Sequence, residues 1–129
     1  MFQNTTDLNV WKVRNLSKHD FEPQHGAITE PYIAMTYVLY LIRTMGGHAT
    51  RAQIDHVTAM AGRLNYFVAT SALASLIRTM HIDECELPEK EVRYAITSLG
   101  FECLDSLIED LNPEIRKRID KAVEEYTAK

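Results

Sequence analysis

Cysteine is scarce in this sequence, with two in 129 residues, Cys85 and Cys103. A disulfide-stapled scaffold needs a denser, paired set in an oxidising compartment, so that class is excluded and both side chains are expected as reduced thiols. Long apolar runs are missing too. The longest, residues 31–42, is interrupted by Thr36, whereas a membrane span needs about 20 apolar residues. The stretch from Met1 to Trp11 has neither the charged nor the apolar region of a secretion signal, and the expectation is a cytoplasmic chain. An excess of positive charge is also absent. Fourteen Lys and Arg stand against 18 Asp and Glu, a net charge of −4, which excludes a protein that coats nucleic acid indiscriminately. No P-loop, no G-x-G-x-x-G fingerprint and no C-x2-C pair is present. An enzyme, a cofactor and a metal centre are therefore not expected.

What is there is an ordinary globular composition, 46% apolar and 25% charged, at the length of one domain. Residues 1–29 are polar and mixed. Leu8, Val10, Trp11, Val13 and Leu16 are spaced for either a short strand or a helical turn, and the segment is expected to be an N-terminal arm packed through Trp11. Residues 30–111 are expected to form the main domain and residues 112–129 a C-terminal helix suited to dimerisation.

Within the main domain, Thr29 as N-cap and Pro31 in the first turn start a helix carrying Ile33, Tyr37, Tyr40, Leu41 and Met45. Gly46-Gly47 ends it. Thr50 and Gln53 make a T-x-x-Q capping box for a second, short helix that Gly62 stops. Asn65 caps a third, expected to reach Met80, with Ala69, Ala72, Leu73, Leu76 and Met80 on one stripe. Two strand-like segments, residues 82–86 and 92–96, flank a proline-containing tip and suggest a hairpin. Thr97 caps a fourth helix running through Phe101, Leu104, Leu107, Ile108 and Leu111. Asn112-Pro113-Glu114 starts a fifth, with Ile115, Ile119, Ala122 and Tyr126.

Four places in this order carry a resemblance. They are the Gly46-Gly47 helix end, the second-helix start Ala49-Thr50-Arg51-Ala52-Gln53-Ile54, the third helix running from Ser71 into Ile82, and Tyr94-Ala95-Ile96-Thr97-Ser98-Leu99-Gly100. Together, over residues 31–111, they resemble the winged helix-turn-helix family, including its MarR-like and PadR-like regulators. The resemblance implies an α+β, mostly helical fold, a winged helix-turn-helix with extra C-terminal helices. It further implies a dimeric regulator that binds double-stranded DNA. The chain departs from the pattern at Met80, where relatives place glycine, and at the wing tip, where Lys90 is the one base among acids.

Affinity for DNA comes largely from cations near phosphates, so charge was divided by region. Residues 1–49 net zero, residues 50–82 net +2, residues 83–111 net −7 and residues 112–129 net +1. On the DNA reading Arg51, Arg63 and Arg78 contact phosphates. Asn65, Tyr66, Thr70 and Ser71 face the groove, and Gln53 is a contact from the second helix. On the other reading these positions are caps and solvated surface. The acidic hairpin, with Glu84, Glu86, Glu89 and Glu91, suits a protein partner and supports a rival function, a winged-helix adaptor or modulator of phage or plasmid type.

Other patterns weigh less. His81 and Cys85 form an isolated H-x3-C, short of the three or four ligands a metal needs. Cys103 sits on an apolar stripe and is expected in the core. The pentapeptide Leu-Ile-Arg-Thr-Met occurs at 41–45 and again at 76–80, but the surrounding residues do not match. Tyr32, Tyr37, Tyr40, Tyr66 and Phe67 lack interleaved cations and are expected to serve core and interface packing.

Overall fold

The computed structural model describes residues 27–128; residues 1–26, including Trp11 and most of the expected arm, lie outside them. The described chain is α+β and mostly helical, with a small antiparallel sheet.

Helix α1, Pro31–Thr44, is buried on nearly every side through Ala34, Thr36, Tyr37, Val38, Leu39, Leu41 and Ile42. No single stripe describes it because the other elements pack around it. The expected Thr29 cap is not formed. Glu30 occupies the N-cap without a side-chain hydrogen bond, and Pro31, whose ring presets a helical φ, starts the helix instead. Gly46 and Gly47 close it with φ of +101° and +96°. Their N–H groups donate to the carbonyls of Arg43 at 3.0 Å and Ile42 at 2.9 Å, a Schellman end.

The chain then enters β1, His48–Thr50, a strand not expected from the sequence. Three residues are too few to show a period of two; β1 is defined by its antiparallel partner, with His48 opposite Ala95 and Thr50 opposite Arg93. Helix α2, Arg51–Ala61, begins on the expected capping box. Gln53 N–H donates to Thr50 Oγ1 at 3.2 Å and Thr50 N–H to Gln53 Oε1 at 2.9 Å. Helix α3, Tyr66–Arg78, starts at Asn65, whose Oδ1 accepts from Val68 N–H at 2.8 Å.

α3 stops two residues before the expected Met80, which has φ +67°. Met80 N–H donates to Ile77 O and His81 N–H to Leu76 O, so α3 ends in the same motif as α1. The repeated pentapeptide is nonetheless out of register with this shared geometry. In the first copy Met45 is the C-cap and Gly46 turns left-handed; in the second Thr79 is the C-cap and Met80 itself turns.

Strands β2, Ile82–Glu86, and β3, Val92–Ile96, form the expected hairpin, and the sheet order is β1-β3-β2. Thr97 caps α4, Ser98–Leu107, accepting from Gly100 N–H at 3.0 Å. α4 ends before the expected Leu111. A 3-10 turn, Ile108–Asp110, tightens the chain and still delivers Leu111 to the core. Asn112 and Pro113 start α5, Pro113–Thr127, as expected. Its stripe of Ile115, Ile119, Ala122 and Val123 is buried, and its ring contact with α2, His56 to Tyr126, spans 5.1 Å between centroids. No described helix is long and apolar enough to cross a membrane.

Candidate functional site

A short turn joins α2 to α3, and α3 leads directly into β2 of the hairpin. The turn is held from several directions. Tyr37 Oη donates to Gly62 O at 2.7 Å, Ile28 N–H to Arg63 O at 2.8 Å, and Arg118 Nε–H to Ala61 O at 2.7 Å. Gly62 and Arg63 both have positive φ, +78° and +71°. Burial pushes the Tyr37 hydroxyl pKa well above the usual tyrosine value, and the nearby Arg118 charge offsets only part of that. These contacts set where α3 points.

α3 buries Ala69, Ala72, Leu73 and Leu76. Its opposite face is Phe67, Ser71, Ala74 and Arg78, all exposed, with Phe67 at 79%. A groove of about 290 Å³ lies between that face and α1, lined by Phe67 and Ser71 together with Met35, Val68 and Ala72. The Tyr66 and Phe67 rings meet edge to face, 5.7 Å between centroids at 83°. Arg51 lies over Tyr66 with its guanidinium carbon 5.4 Å from the ring centre.

Of the three arginines expected at phosphates, two are engaged within the chain. Arg51 donates to Asp55 Oδ1 at 3.0 Å and to Thr70 Oγ1 at 2.6 Å. Burial works against its charge, but the Asp55 carboxylate outweighs that and holds its pKa above the ordinary value. Arg63 pairs with Glu114 at 3.4 Å. Arg78 is exposed at the C-terminal end of α3 and bonds only locally, to Ser75 Oγ at 3.2 Å.

The polar set divides in the same way. Gln53 belongs to the capping box, Asn65 to the α3 cap, and Thr70 accepts from Arg51, so the side-chain oxygens of all three are occupied. Tyr66 and Ser71 remain on exposed surface. Phe67 and Ala74 were not among the expected contacts. Of the aromatics expected in core or interface packing, Tyr32, Tyr66 and Phe67 are exposed and only Tyr37 is fully buried. The signal was available, since the face opposite the Ala69–Ala72–Leu73–Leu76 stripe follows from helical spacing alone.

On the hairpin, Asp83, Glu84, Glu86, Glu89 and Glu91 are all exposed. Lys90 occupies the tip with φ +65°, in a turn closed by Leu87 N–H to Glu91 O and Lys90 N–H to Leu87 O, both 2.8 Å. Burial, with the charge of Glu84, raises the Tyr94 pKa. On the outer face of the sheet, Arg93 Nη1 lies 2.9 Å from His48 Nδ1. His81 Nδ1 is engaged with Thr79 Oγ1 at 2.7 Å, while Cys85 is exposed on β2. Among the described residues no three His, Cys, Asp or Glu side chains come together as metal ligands would. Cys103 is half-buried against the core.

From α1 to the end of α5, residues 36–129 match one domain family. The chain belongs to the DUF4364 family, a domain of unknown function. No curated protein and no solved structure matches the chain. The DUF4364 match takes in all of α2, α3, the hairpin and both C-terminal helices, while Ile28 and the Met35 wall of the groove precede it.

Proposed function

We propose that this chain is a sequence-specific, DNA-binding transcriptional regulator of the winged helix-turn-helix type, related in architecture to the MarR-like and PadR-like regulators. One observation carries the reading. The order α1-β1-α2-α3-β2-β3, with the sheet arranged β1-β3-β2, leaves the outward face of α3 uncovered beside a hairpin. A helix so presented fits the major groove, and the hairpin tip is then within reach of the backbone. In this mechanism α3 enters the groove and α2 braces it through the Arg51–Thr70 bond. Arg78 and Lys90 supply charge to phosphates, and Arg63 acts by fixing the turn. Such a regulator works in the cytoplasm and without cofactor or catalysis. As a homodimer it would present two α3 helices to a pseudo-palindromic site. The apolar stripe of α5 is used inside the chain, while Leu99 and Phe101 of α4, both exposed, offer apolar surface to a second copy.

The test is titration of the full chain against labelled random-sequence duplex at about 50 and 200 mM salt. Two or three cations at phosphates weaken binding by about tenfold or more over that range, and Arg78→Glu removes it. No binding at the lower salt sinks the reading. A second reading, a protein-docking adaptor, is favoured by the hairpin, which carries five exposed carboxylates along its length and Lys90 at its tip. On that reading duplex is not bound, and reversing Glu84 and Glu86 to Lys abolishes partner capture while Arg78→Glu does not.

A further inference from the structure

The outward face of α3 is short of hydrogen-bonding groups for a reading helix. Asn65 is committed to the cap and Thr70 to Arg51, which leaves Ser71 and Arg78 on a face otherwise made by Phe67 and Ala74. Phe67 is the most exposed large apolar side chain described, and it stands in the first turn, the part of a reading helix that penetrates the groove. Tyr66 meets its ring edge to face, and Arg51, bonded to Asp55 and Thr70, lies over Tyr66.

The major-groove edge of base pairs offers one apolar group, the C5 methyl of thymine. We propose that α3 discriminates sequence chiefly through thymine methyl groups, with Phe67 and Ala74 as the specificity-determining residues and Arg78 as the charged anchor at the far end of the face. This deepens the DNA-binding reading and rests on it. Phe67 and Ala74 are seven residues apart, about 10 Å along the helix, or about three base pairs. The preferred site therefore carries thymines at roughly that separation.

The experiment selects the best-bound duplex from a random pool with the full chain, then replaces each thymine by deoxyuridine, which keeps every hydrogen bond and lacks only the methyl. Binding weakens about fourfold for each contacted thymine, and Phe67→Ala loses that discrimination at one of the thymines while keeping it at the one that faces Ala74. Phe67 is exposed, so that variant keeps the wild-type melting temperature, which serves as its folding control. If duplex is bound but the wild type does not distinguish thymine from uridine, the proposal falls and the DNA-binding reading stands. A Phe67→Ala chain that still distinguishes thymine from uridine at every position the wild type does removes Phe67 from the role and overturns the proposal likewise. If no duplex is bound at low salt, both fall together.

Discussion

Arg51, the first residue of α2, donates a 2.6 Å hydrogen bond to Thr70 on the second turn of α3. The same guanidinium donates to Asp55 and lies over Tyr66, so one side chain joins the two helices. The pair is partly exposed, and its net worth is about 1 kcal/mol. Thr70→Val preserves shape and removes only the acceptor. We expect a fall in melting temperature of about 3–5 °C in a domain of this size, and Arg51→Lys should behave alike, because an ammonium cannot serve Asp55 and Thr70 with the planar fork. Unchanged melting in both variants would show that the bond does not couple α2 to α3.

Met80 sits at φ +67°, a left-handed conformation that costs a residue bearing Cβ about 1–2 kcal/mol. Its side chain is 68% exposed, so little packing compensates. In α1 the matching left-handed position is filled by Gly46. Met80→Gly is therefore expected to stabilise the fold by about 1 kcal/mol, less the added freedom of the unfolded chain. The denaturant midpoint should rise with an unchanged slope; a lower midpoint would mean that the Met80 side chain contributes more than its exposure indicates.

Gly100 behaves in the opposite sense, with no unusual φ. A methyl added there would overlap the backbone carbonyl oxygen of His81 and stand 2.7 Å from Ile96 Cγ1. α4 therefore starts in close contact with the junction of α3 and β2, an approach that Thr97 reinforces by donating to Met80 O at 2.8 Å. Gly100→Ala should destabilise by about 1–3 kcal/mol through overpacking. Chemical denaturation measures it directly, and a neutral result would show that α4 can shift away from the junction without penalty.

The starts of α2, α3, α4 and α5 were legible because each is decided locally. Thr50, Asn65, Thr97 and Asn112 each cap an N–H two or three residues ahead. β1 was not legible, because His48–Thr50 becomes a strand only through β3, more than 40 residues later. The α4 end was misplaced because Leu111 keeps the apolar period while the backbone tightens beneath it. At the candidate site the local partners were legible and the distant ones were not. The T-x-x-Q spacing already pairs Gln53 with Thr50, whereas Thr70 looks like a free polar group until folding brings Arg51 to it from 19 residues away. Phe67 looked like core because aromatic residues usually are, and only its angular position on α3 says otherwise.

Tyr37 gives the fold an alkaline limit. Its hydroxyl is buried, donates to Gly62 O at 2.7 Å, and has a pKa raised above the ordinary value near 10 by that burial. The folded state thus holds the proton where the unfolded chain has released it. Stability is fully present below about pH 10 and falls above it, by up to about 1.4 kcal/mol per pH unit for this one group. Tyr40, whose pKa is raised by burial and by its bond to Asp120, and Tyr94 add in the same direction. Tyr37→Phe separates the two consequences. At neutral pH it costs about 1 kcal/mol, because the Gly62 carbonyl loses its donor. Above pH 10 its stability should decline less steeply than that of the wild type. Denaturation at pH 7, 9, 10 and 11 makes the comparison; equal slopes for the two chains above pH 10 would show that the Tyr37 hydroxyl titrates as freely folded as unfolded, and that the turn between α2 and α3 does not shelter it.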